Sequence, residues 1–167
     1  YGSTGLNTFL RNHLRGHDTN TTANRFGLML DTGSVSNNVV GNVLGDPSLF
    51  WYGAHTTYDF NNTSNMIYRL GYPEIGNNRY PANSGANNGD LDPSVTNTII
   101  LHGNTFRNEA SAWETYWTPA IIDQTVPPSL FLTEKPAFFG TWPWPPHGPD
   151  VATLTNNIPS SARLLGL

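Results

Sequence analysis

Proline and glycine recur every few residues along this chain, 13 and 16 times in 167 positions. Proline removes a backbone donor and glycine weakens any helix it enters, so no long amphipathic helix survives this spacing. What remains are short apolar runs bounded by Asn, Gly, Asp and Pro. Phe9-Leu10 lies between Asn7 and Asn12, and Arg25 to Leu30 alternates up to the turn Asp31-Thr32-Gly33. Val39-Val40 and Val43-Leu44 bracket Gly41-Asn42, and Thr98 to Leu101 precedes His102-Gly103-Asn104. Residue type, length and boundaries mark these runs as β-strands.

Three of the runs share one pattern. Phe9, Asn12 and Leu14 stand at relative positions 0, 3 and 5, as do Val39, Asn42 and Leu44, and again Leu101, Asn104 and Phe106. A solenoid uses such a unit by stacking its apolar positions into a continuous core. Asn then occupies the bend, where its amide bonds the next Asn and its backbone tolerates the left-handed conformation that a tight turn needs. The first two Asn lie 30 positions apart, which fits one coil plus an insertion. The next lies 62 positions further on, leaving room for one or two degraded coils around Met66-Ile67-Tyr68 and a long loop from Gly71 to Pro93. From Trp113 onward the prolines of Trp117-Thr118-Pro119, Val126-Pro127-Pro128 and Trp142-Pro143-Trp144-Pro145-Pro146 should not continue a sheet. This segment, about 113–167, is expected to cap the open end of coils spanning about 1–112, in a single domain.

Charge narrows the possible partners. Charged residues are only 12% of the chain, half the usual share of about 25%, while hydrophobic residues supply 37%. The net charge of −4 with so few charges argues against intrinsic disorder. Arg11 and Arg15 come nearest to a basic patch and read as solvated side chains, too few for a nucleic-acid footprint. No run approaches a membrane span. Cysteine is absent, which excludes disulfides, thiol catalysis and cysteine-ligated metals.

The run Leu130 to Gly140, followed by Trp142-Pro143-Trp144-Pro145-Pro146 and Gly148-Pro149-Asp150-Val151, resembles the C-terminal segment of bacterial right-handed parallel β-helix repeat proteins of the pectate-lyase-like superfamily. Asn7 to Asn12, Asn38 to Gly45, Arg69 to Pro73, Asp92 to Val95 and Leu101 to Asn104 are similar to the same group in the same order. The resemblance implies an all-β, right-handed parallel β-helix, exported to the cell exterior or surface, with further coils preceding Tyr1. It implies either a polysaccharide-binding or polysaccharide-degrading protein (a lyase or glycoside hydrolase if an enzyme) or a non-catalytic structural or adhesive module of a cell surface, filament or phage particle. No catalytic signature of that superfamily maps onto these residues. A first coil with no cap of its own is expected to self-associate through its open edge when isolated.

Candidate site residues follow from the chemistry of glycans. His102, beside the Gly103-Asn104 bend and near Arg107, is the best-placed base, against the alternative of a structural histidine at a corner. Trp51, Tyr52, Trp113 and Trp117 offer faces for stacking on sugar rings, or else cover the flank of the coils. Asp90 and Asp92, set among Asn and Gly, offer oxygen ligands for Ca²⁺, although Asp92-Pro93 is also an ordinary turn opener.

Overall fold

The computed structural model describes residues 5–14, 16, 26–45, 66–72, 92–107 and 112–151. The expected runs form strands β1 (Thr8–Leu10), β2 (His13–Leu14), β3 (Phe26–Asp31), β4 (Asn38–Val40), β5 (Val43–Leu44), β6 (Met66–Tyr72), β7 (Ile100–His102) and β8 (Asn104–Arg107), with β9 (Trp113–Tyr116) after them. They build three small sheets, ordered β1-β4-β7, β2-β5-β8-β9 and β3-β6. Every pairing is parallel except β8 with β9. The chain thus passes through the three sheets in the same order twice and starts a third round. The described residues are mostly β, with helix confined to α1 (Pro93–Thr98) and a 3-10 turn at Ala137–Phe139.

The register follows the sequence pattern. Phe9 pairs Val39, which pairs Leu101, and Leu14 pairs Leu44, which pairs Phe106. Val39, Leu44, Leu101 and Phe106 are buried together with Ile67, Tyr68 and Leu70 of β6, and Phe9 and Leu14 pack against them. Between the two columns of apolar side chains runs a ladder of amides. The Oδ1 of Asn42 accepts from the N–H and the Nδ2 of Asn12 at 2.9 and 3.0 Å, and the Oδ1 of Asn104 does the same for Asn42 at 3.0 Å each. A second ladder joins Asn7 to Asn37, whose Oδ1 accepts from the Asn7 N–H and Nδ2 at 3.1 and 3.0 Å. The sequence pattern did not flag this one.

Four expectations change. The left-handed backbone belongs not to the Asn but to the residue before it: Arg11, Gly41 and Gly103 have φ of 51°, 63° and 64°, and Leu6 and Ser36 play that part in the second ladder. The Asn can then stay extended and point its amide along the stack. No degraded coil separates Asn42 from Asn104, because β4 and β7 are direct neighbours; β6 instead extends the β3 sheet. Trp113–Tyr116 joins the sheet, antiparallel to β8, since the prolines that forbid pairing begin only at Pro119. Asp92-Pro93 opens a helix: Asp92 caps α1 by accepting from the Ser94 N–H, and Pro93 occupies the first turn, where no donor is needed. Most of the expected loop, 73–91, lies outside the described residues. The strand before it and the helix after it are tied by a 2.9 Å bond from the Asp92 N–H to the Gly71 carbonyl.

Asn42 is fully buried, and truncating it strands its partners above and below. Asn42→Ala should lower unfolding free energy by about 3 kcal/mol in urea titrations. Asn38→Ala, which loses only an exposed 3.3 Å contact to Thr8, should stay within about 0.5 kcal/mol of the parent.

Candidate functional site

The column of left-handed residues, Arg11, Gly41 and Gly103, presents bare backbone on one flank of the stack, and the proline-rich segment lies along it. A Cβ on Gly41 would stand 2.5 Å from Val126, and one on Gly103 would stand 2.9 Å from Val126 and 2.8 Å from the Trp117 ring. Glycine is required there because the segment holding Trp117 and Val126 fills the space that any side chain would need. At the third level the column carries Arg11 instead. Its guanidinium donates to the carbonyls of Pro127, Val126 and His147 at 2.7, 2.5 and 2.8 Å, and forks onto both oxygens of Asp150 at 2.7 and 2.9 Å. Arg11 is buried, so the solvated side chain expected from the sequence is corrected. Residues 117–150 therefore form a strap along the side of the stack, clamped at Arg11, rather than a lid across its end.

Between the strap and the outer face of β1 lies a groove of about 360 Å³. Its apolar wall comes from Leu10, Leu130, Phe131, Trp144 and flanking prolines, and its polar groups are Thr8, Asn12 and Ser129. Phe131 is 92% exposed and Leu130 54%, an unusual presentation for apolar side chains of this size. Trp144 is held by an edge-on contact with the buried Phe139, ring centres 4.8 Å apart. Among the described residues Arg11 is the single charged one of this lining, and its donors are already engaged by the strap.

The residues singled out from the sequence are dispersed. His102 is buried in the bend; its Nδ1 accepts from the Thr118 N–H at 3.3 Å and its Nε2 contacts the Asp123 carbonyl at 2.9 Å. An N–H can only donate and a carbonyl only accept, so the hydrogen sits on Nε2, and the lone pair a base would use is taken. Trp117 stands edge-on to His102, centroids 4.8 Å apart, and covers Gly103. Both side chains fasten the start of the strap. Arg107 ends β8 and pairs Trp113 of β9, away from the groove lining. Trp51, Tyr52 and Asp90 lie outside the described residues. Asp92 has one oxygen on the Ser94 N–H and hydroxyl at 3.0 and 2.5 Å and the other on the Gly33 N–H at 2.8 Å, so it ties α1 to the turn after β3. Among the described residues no three His, Asp or Glu side chains gather to hold a metal ion. Arg11, Phe131 and Trp144, not put forward as site residues from the sequence, are what the structure brings together.

No protein family, curated protein or solved structure matches the chain. The meaning of the groove therefore rests on its own geometry. No helix among the described residues is long and apolar enough to cross a membrane.

The clamp should weaken in acid. Burial, with the His13 ring beside it, pushes the His147 imidazole down to about 4, and its Nε2 has no partner. The Arg11 hydrogen bonds hold the Asp150 carboxyl below its ordinary range. An unfolded His147 would take its proton near its ordinary value of 6.5, so its contribution is complete above that pH and is lost as pH falls toward 4. The Asp150 contribution is present above the usual carboxylate range and is lost only below it. Thermal unfolding followed by tryptophan fluorescence should thus show a midpoint that drops between pH 6.5 and 4. The drop should flatten in His147→Gln; equal slopes in the two proteins would contradict this assignment.

Proposed function

We propose that the chain is part of a right-handed parallel β-helix of an extracellular protein, and that the groove beside β1 binds a neutral polysaccharide without cleaving it. The repeated passage through three parallel-paired sheets, with amides ranked at the bends, supports the solenoid reading. The observation that carries the ligand class is the groove lining: aromatic and aliphatic surface beside hydroxyl and amide groups, with its one cation already spent. Pyranose rings offer apolar C–H faces to aromatic surfaces and hydroxyls to neutral hydrogen-bonding groups. A uronate would need a free cation in the groove, and a hydrolase would need two carboxylates flanking the bond. Neither stands among the described residues of this lining.

The second reading is a non-catalytic structural module, favoured by the outer edge of β1 and β2, which no other described strand pairs. The two are separated by titrating neutral and acidic oligosaccharides by calorimetry. Saturable binding of a neutral glycan with no new reducing ends supports the first. Phe131→Ala, at a position with little packing to lose, should weaken that binding about tenfold, and Trp144→Ala by at least as much. Binding confined to acidic glycans, or indifference to both substitutions, would refute the reading.

A further inference from the structure

We infer that the outer edge of β1 and β2 is a strand-acceptor site, built to add in parallel an extended polypeptide segment that carries two Asn five residues apart. The direction of the ladders carries this. In each step the Oδ1 of the later Asn accepts from the N–H and the Nδ2 of the earlier one, as Asn37 does for Asn7 and Asn42 for Asn12. Asn7 and Asn12 therefore begin the two ladders, and among the described residues their own Oδ1 atoms have no donor. The backbone is poised in the same way. The N–H groups of Asn38 and Val43 donate to the carbonyls of Asn7 and Asn12, and Gly45 donates to Leu14. By the alternation of a parallel ladder, the N–H groups of Thr8, Leu10 and His13, which pair with Asn38, Val40 and Val43, point away from the stack. An incoming strand that repeats the Asn7 to Leu14 pattern meets amide acceptors at two points five residues apart and backbone donors between them. It also places apolar residues over Phe9 and Leu14, which are only part-buried. Main-chain bonds supply affinity in such strand addition, and the alternate side chains supply specificity.

Among the described residues the opposite end does not offer a matching free edge. β9 covers β8, the Gly103 N–H donates to the Tyr116 carbonyl, and the Thr118 hydroxyl donates to the Leu101 carbonyl. Copies of this chain therefore cannot stack head to tail through their last strands, and the occupant is a strand bearing the Asn pair.

The probe is a synthetic peptide with the sequence of residues 34–45, which contains Asn37 and Asn42 in the required spacing. Titrated to millimolar concentration, it should bind saturably and slow hydrogen exchange at the amides of Thr8, Leu10 and His13. The same peptide carrying Asn37→Ser and Asn42→Ser should bind about tenfold more weakly. In the protein, Leu10→Pro removes an outward donor without touching the bonds to β4, and should abolish peptide binding while leaving circular dichroism unchanged. Trp144→Ala should leave peptide binding intact, so a failed glycan assay and a failed peptide assay are told apart. No binding, equal binding of the doubly substituted peptide, or protection of the same amides by self-association without peptide would overturn the inference.

Discussion

The buried amide of Asn42 holds the stack in register. Its oxygen takes two donors from the level on one side, and its N–H and Nδ2 give to the oxygen on the other. A carbonyl oxygen has two lone pairs and an amide nitrogen two hydrogens, so one residue type repeated at each bend can satisfy itself without water. That matters because the bend is where strands stop pairing and backbone groups would otherwise be stranded in a dry interior. Slipping the middle level by a residue would break both ladders and turn Val39 away from the core in the same motion. The hydrogen bonds and the apolar columns thus enforce a single alignment.

The same bends create the flank on which the strap lies. A left-handed residue before each Asn turns the chain sharply, and at two levels glycine leaves a shallow channel that Val126 and Trp117 fill. At the remaining level Arg11 accepts the strain of a positive φ and offers a planar fork to three carbonyls and a carboxylate. One column of the repeat therefore provides both the bed for the strap and its fastening, and the groove exists because the strap stands off from β1 where Phe131 and Trp144 project.

Much of the stacking was legible in the sequence, because the apolar–Asn–apolar spacing is local and occurs three times. The Asn7–Asn37 ladder was not, since Ile99 stands where a third Asn would be expected and the column shows only two members. Placing the left-handed turn on Asn overlooked a stronger signal: the preceding position reads Arg, Gly, Gly, and glycine in a strand-rich segment marks a tight bend or a close backbone approach. That column also held the clue to Arg11, a charged residue where its equivalents have no side chain. Its partners lie 115 to 139 positions away, a distance no local pattern spans. His102 and Trp117 drew attention as chemistry-bearing residues, yet His102 is buried at the bend that Gly103 makes and the half-buried Trp117 ring lies against that glycine.

One junction gives the architecture freedom to vary. The carbonyl of Gly71 receives the N–H of Asp92, whose carboxylate also reaches Gly33 and Ser94, so the end of β6 and the start of α1 are joined at one knot. The entropy of closing a loop rises only logarithmically with its length. Segments of very different size can therefore be spliced between these two residues while the levels above and below keep their alignment. Such a socket lets new chemistry be grafted onto an old frame without renegotiating how the frame holds together.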